Sequence, residues 1–212
     1  LTLELNKRYS NHWQGRVAFT YSKVLDNKPD ATAVVPGGSD DAKYAQDPFN
    51  LADDYARGDN DVTARLVLSG LWNLDYWKGD DFVSKYILGG WSISGIFQYS
   101  TGQPFSSNIG TFDLNNDGNR FNDRSPGEGR NIYQLPSQVS IDPRITKEFD
   151  FGAVRLQIIA EAFNIRNRSN VSAVRTQKYA VVNGKLVTQS SFFSPTASSG
   201  PRIVQLAAKV LF

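Results

Sequence analysis

Residues 61–76 read DVTARLVLSGLWNLDY. Val62, Ala64, Leu66, Leu68, Gly70, Trp72, Leu74 and Tyr76 share one parity. Thr63, Arg65, Ser69, Asn73 and Asp75 fall on the other. An extended chain points successive side chains to opposite faces, so this pattern predicts a strand with one apolar and one polar face. The run is longer than the roughly 5–6 residues of a typical globular strand. It fits the roughly 9–11 residues that a tilted strand needs to cross a bilayer.

The same alternation recurs along the chain. In GWSISGIFQYS, Trp91, Ile93, Phe97 and Tyr99 alternate with Ser92, Ser94, Gln98 and Ser100. In VSIDPRITKEF, Val139, Ile141, Ile145 and Phe149 alternate with Ser140, Asp142, Arg144, Thr146 and Glu148. Residues 155–163 and 202–212 follow suit, as do 1–9 and 13–25, which makes about seven strands. The connections alternate too. The links at 10–12, 77–89 and 150–153 are short or modest, and those over about 27–60, 104–138 and 168–200 are long. The long ones carry the turn formers, as in VVPGGSDD and NDRSPGEGRN. A soluble sandwich has no reason to alternate link lengths. A transmembrane barrel does, with short periplasmic turns and long extracellular loops. Aromatic residues gather at both strand ends: Tyr9, Trp13, Trp72, Tyr76, Trp77 and Phe149 at the short turns, and Phe19, Tyr21, Phe97 and Tyr99 toward the long loops. Two interfacial belts are expected of such a barrel.

Composition narrows the classes. The formal charge is +2 with both signs dispersed, so no nucleic-acid stripe is present. No apolar run approaches the ~18 residues of a membrane helix. There is no cysteine, hence no disulfide framework, thiolate metal site or cysteine nucleophile. The one histidine, His12, sits in a short turn, and neither G-x-S-x-G nor G-x-x-x-x-G-K occurs, so no enzyme is expected. Methionine is absent, position 1 included, and the chain opens directly on the alternating run LTLELN. These features suggest part of a longer protein, whose signal peptide would lie upstream. Seven is odd whereas bacterial single-chain barrels use even numbers, so further strands are expected on the N-terminal side.

YARGDNDVTARLVLSGLWNL, LGGWSISGIFQYSTGQPF, DLNNDGNRFNDRSPGEGRN and IDPRITKEFDF followed by VRLQIIAEAFNIRNRSN resemble the C-terminal barrel of TonB-dependent outer-membrane receptors. The closest branch is the Oar-like one, whose members often carry a carboxypeptidase-regulatory-like domain. The resemblance spans nearly all of residues 1–212. It implies an all-β, antiparallel transmembrane segment of a barrel of about 22 strands. It also implies a Gram-negative outer-membrane location, contact with outer-membrane lipid, a plug domain from the same full-length chain, and energised uptake of a nutrient or large substrate through the TonB complex. The terminal Phe212 is similar to the residue that the barrel-assembly machinery reads. Two other readings stay open: a small complete outer-membrane barrel or adhesin, and a soluble calcium-dependent carbohydrate-binding β-protein.

The stretch DLNNDGNRFNDR places Asp113, Asn115, Asp117 and Gly118 at positions 1, 3, 5 and 6 of an EF-hand-type loop. The twelfth position, where a bidentate acid belongs, holds Arg124, and Asp123 lies one residue early. With no flanking helices an EF-hand is excluded. Two readings remain: an Asp-rich loop closing on calcium through Asp113, Asn115, Asp117 and Asp123, or local Asx-turns in a surface loop. A second acidic set, Asp47, Asp53, Asp54, Asp59 and Asp61, reads as a solvated loop. Arg16, Arg65, Asp142, Arg144, Glu148, Arg155, Glu161 and Lys209 fall on the polar strand faces, where a watery or plugged lumen tolerates them. Glu148 is expected opposite Arg155 across the 150–153 turn.

Overall fold

The computed structural model describes residues 1–27, 45–77, 79–118 and 123–212. Parts of two long links expected from the sequence, 28–44 and 119–122, lie outside the described residues. Seven long strands form one antiparallel sheet: β1 Thr2–Ser10, β2 Trp13–Tyr21, β5 Ala64–Leu74, β6 Trp91–Ser100, β9 Gln138–Asp150, β10 Arg155–Phe163 and β15 Ile203–Leu211. Their order in space is their order in sequence. They run 9 to 13 residues, enough for a tilted bilayer crossing. The sheet does not close on itself, since β1 and β15 are its two edges.

Local chemistry sets the short turns. Asn11 and His12 both take positive φ, 51° and 69°, as a two-residue type I′ hairpin requires. Between β9 and β10, Gly152 sits at φ +87° and donates its N–H to the Asp150 carboxylate. The 77–89 link contains a π-helical turn, Val83–Leu88, which alternation could not forecast. The β9–β10 ladder runs from Asp150 to Arg144 and stops before Pro143, which has no N–H to donate. Beyond it the Asp142 carboxylate takes over and accepts the Asn164 amide.

Cross-strand register turns the single-strand alternation into two faces. Trp13, Trp72, Ile93, Ile145, Ala160 and Leu206 form one continuous row across β2 to β15. Leu5, Val17, Leu68, Phe97 and Ile141 form another on the same face. The opposite face carries the row Gln14, Leu71, Ser94, Arg144, Glu161 and Gln205. Apolar side chains on the first face are exposed: Leu5 is 71% accessible and Leu206 79%. The cluster of buried apolar residues lies instead off the sheet, among the long links.

Those links fold into pieces of their own. The pair β3 Leu25–Asp26 and β4 Ala56–Arg57 belongs to the first, with a 3-10 turn at Leu51–Asp54. The pair β7 Pro104–Phe105 and β8 Tyr133–Gln134 belongs to the second. The third holds β11 Val171–Val174 paired with β14 Pro195–Ser198, and the hairpin β12 Tyr179–Val182 with β13 Lys185–Thr188. That hairpin turns on Asn183 and Gly184, both at positive φ, the strongest short-range hairpin signal.

Candidate functional site: the cap of long links

The three long links pack on one another at one end of the sheet, and the second lies between the other two. Toward the third link the contact is apolar. Phe105, Leu135, Val171 and Val174 form the buried cluster, with Tyr133 and Phe192 against it. Phe105 stacks on Tyr133 at 5.5 Å between ring centroids. Beside it Lys178 pairs with Glu128, and Glu128 also accepts from the Ser107 and Tyr133 hydroxyls. Burial pushes the Glu128 carboxyl up, but the hydrogen bonds from Lys178, Ser107 and Tyr133 outweigh it and hold it below its ordinary value of 4.5. The bond to Glu128 in turn raises Lys178.

Toward the first link the contact is ionic. Arg130, 3% exposed at its side chain, pairs with both Asp26 and Asp59. Asn131 donates to Asp59 at 2.6 Å and to the Arg57 carbonyl at 2.7 Å. Arg124 pairs with the buried Asp54. Within the first link Arg57 pairs with the fully buried Asp61 at 2.8 Å, and Asp61 also accepts the Val24 amide. The acidic set expected to be solvated is therefore split. Asp54, Asp59 and Asp61 are buried because arginines 57, 124 and 130 neutralise them, whereas the Asp47 and Asp53 carboxylates make local turn bonds. Sequence reading missed this because Arg124 and Arg130 come from another link, about 70 residues away.

The suspected calcium residues lie on one segment of the second link. The Asp113 carboxylate accepts the amides of Asp117 (3.2 Å) and Gly118 (3.0 Å). The Asn115 side chain accepts the Asp117 amide and donates to Asp117 and to the Gln46 carbonyl. Asp123 is 1% exposed and accepts the Leu114 amide through Oδ2 at 2.7 Å, while its buried Oδ1 has no partner. Desolvation raises the Asp123 carboxyl, against the Leu114 hydrogen bond, and the charges of Asp113 and Asp117 raise it further. Among the described residues no three acidic or histidine side chains converge on a single metal position. Arg124, at the twelfth position, is directed to Asp54 instead.

On the sheet, the polar-face charges are paired in part. Arg16 meets Glu4 at 3.0 Å, and Arg144 meets Glu161, its register partner, at 3.0 Å. Glu148 is not opposite Arg155. Its register partner is Gln157, which donates to it at 2.6 Å, and Arg155 reaches it diagonally at 3.9 Å. The tight turn starts one residue later than the spacing suggested, because β9 continues through Asp150. Toward the cap, the polar face opens into a recess of ≈ 660 Å³ lined by Thr20, Arg65, Gln98, Ser140, Asp142 and Asn164. At the other end Lys147, on the apolar face, lies 5.3 Å over Trp91 and 5.0 Å over Phe149 and donates to the Gly89 carbonyl. His12 pairs with Asp75 and lies against Tyr76.

No helix among the described residues is long and apolar enough to cross a membrane. A meander of bilayer-length strands, exposed and apolar on one face and ionic on the other, is the wall of a membrane β-barrel protein. The model of the outer membrane beta barrel domain family matches residues 1–128, and the chain belongs to that family. The match covers β1, β2, β5 and β6, and β9, β10 and β15 continue the same sheet with the same two faces. No curated protein and no solved structure matches the chain. The family places the protein in the outer membrane, with the apolar face toward lipid.

Proposed function

We propose that this chain is the C-terminal wall of a TonB-dependent receptor of the Oar-like branch, which takes up a nutrient or another large substrate and carries no catalytic role. The observation that carries the reading is the ionic inner face. Arg16, Arg65, Asp142, Arg144, Glu148, Arg155, Glu161 and Lys209 share the face opposite lipid. Several are paired across strands. Such a row is costly in a protein core and ordinary against an aqueous or plugged lumen. In this reading the unpaired edges of β1 and β15 join further strands of a barrel of about 22, a plug domain of the same full-length chain meets the ionic face, and the TonB complex drives uptake. The barrel-assembly machinery engages the β15 end through Phe212, and the packed cap meets the substrate outside the cell.

The coding sequence upstream of Leu1 tests this directly. A signal peptide, a plug-sized domain and further alternating strands are expected, together with substrate uptake that stops when TonB is deleted. A signal peptide within a few tens of codons of Leu1 overturns it. The packed cap favours one second reading, a surface adhesin, for which binding of the target persists without TonB.

A further inference from the structure

Asp113, Asn115, Asp117 and Asp123 form an acidic segment that the wall and the ion-paired cap do not use. Acidic loops are common and by themselves signify nothing. This one contains a buried carboxylate with an unsatisfied oxygen. Asp123 Oδ1 is shielded from solvent and accepts no hydrogen bond among the described residues, while Oδ2 is fixed by the Leu114 amide. Buried polar atoms are almost always satisfied, so an orphan carboxylate oxygen calls for a partner. The neighbouring charges make the demand specific. Asp113 and Asp117 raise the Asp123 carboxyl electrostatically, against the opposing charge of Arg124. The buried acids of the first link differ in their cations: Asp59 also keeps one oxygen without a hydrogen bond, but Asp54, Asp59 and Asp61 each hold an arginine. Among the described residues no cation lies within ion-pair distance of Asp123, and its chain neighbour Arg124 is held by Asp54.

We propose that Asp113, Asn115, Asp117 and Asp123 bind one calcium ion, with Asp123 Oδ1 as the anchoring ligand. The donors are hard oxygens, three of them anionic, which suits Ca²⁺ and not a soft metal. Spacing i, i+2, i+4 puts the first three on one side of a tight turn, and Gly118 at φ +89° supplies the bend that position needs. Because three acidic side chains do not already converge, binding draws Asp113 and Asp117 toward Asp123. The cost of that closure sets a weak affinity, in the ~0.1–1 mM range of extracellular calcium modules. Closure also links the second link to the first, since Asn115 is tethered to the Gln46 carbonyl at 2.8 Å.

The test is calorimetric titration of CaCl₂ into the full-length protein in detergent freed of lipopolysaccharide, which binds calcium itself. One saturable event in the sub-millimolar to millimolar range is expected, with MgCl₂ giving none. Asp123→Asn is expected to weaken binding by about tenfold or more, from the loss of one anionic ligand. Asp113→Asn, a half-buried and isosteric change that keeps an oxygen to accept the Asp117 and Gly118 amides, is expected to weaken it likewise, while Asp53→Asn leaves it unchanged. No saturable heat at ~10 mM calcium, well above that affinity range, overturns the proposal, as does unaltered binding in both Asp123→Asn and Asp113→Asn.

Discussion

The wall and the cap of this protein are built by opposite rules. In the wall, apolar side chains face outward, with Leu5 and Leu206 more than two-thirds exposed, and ionic residues face the other way. In the cap, Phe105 and Val174 are buried at 1% exposure, and arginine–aspartate pairs are buried with them. The same residue types thus occupy inverted environments within a few nanometres. Solvent makes the difference. Hydrocarbon offers nothing for a polar group to bond, so the wall satisfies its backbone through strand pairing and presents apolar surface to lipid. The cap stands in water and must collect a small hydrophobic core like any globular domain.

The contrast breaks most readily at the cap's buried ions. Arg130→Met leaves Asp59 buried without its cation, which costs about 3–5 kcal/mol. The expected result is loss of protection in hydrogen exchange across 101–137, with the seven-stranded sheet still protected. Equal loss in both would mean that cap and wall are one cooperative unit. Next in size is a charge in lipid. Leu68→Arg, mid-strand on the apolar face, is expected to lower folding stability in vesicles by about 2–4 kcal/mol. Ser69→Arg, its chain neighbour on the other face, should cost less than about 1 kcal/mol. Similar costs at both positions would refute the assignment of faces.

Acid should act on the cap through Glu128. Its carboxyl is held below its ordinary value, so the stability it contributes is present at neutral pH and lost as pH falls below about 4.5. Asp123 has the opposite sign. Its carboxyl is raised, so its contribution grows as pH falls and is lost as pH rises through its folded value. Near-UV circular dichroism of Glu128→Gln against the parent isolates the first effect, and a cap whose acid response is unchanged in the variant would remove Glu128 from the account. The smallest effect is expected on the wall's polar face. Arg16→Ala removes an exposed pair with Glu4 and should change stability by less than about 1 kcal/mol in urea titrations of the refolded protein. A loss as large as that of Arg130→Met would show that the face is dry rather than wet.

By itself the sequence determined the wall. Parity along residues 61–76 and their counterparts assigns each side chain to a face, because the strand period of two is a local property of extended chain. Strand number and the alternation of short and long links were legible for the same reason. What joins one link to another was not. Tertiary structure decided that Asp54 and Asp59 are buried, since their arginines arrive from a different link. It decided that Glu148 faces Gln157 rather than Arg155, because β9 runs through Asp150 and a turn placed one residue later moves every partner in the ladder by two. It covered Lys147, which parity puts on the lipid face, with Trp91 and Phe149. It also singled out Asp123 within its acidic stretch, because burial and an unpaired oxygen depend on what folds around a residue and leave no local trace in the sequence.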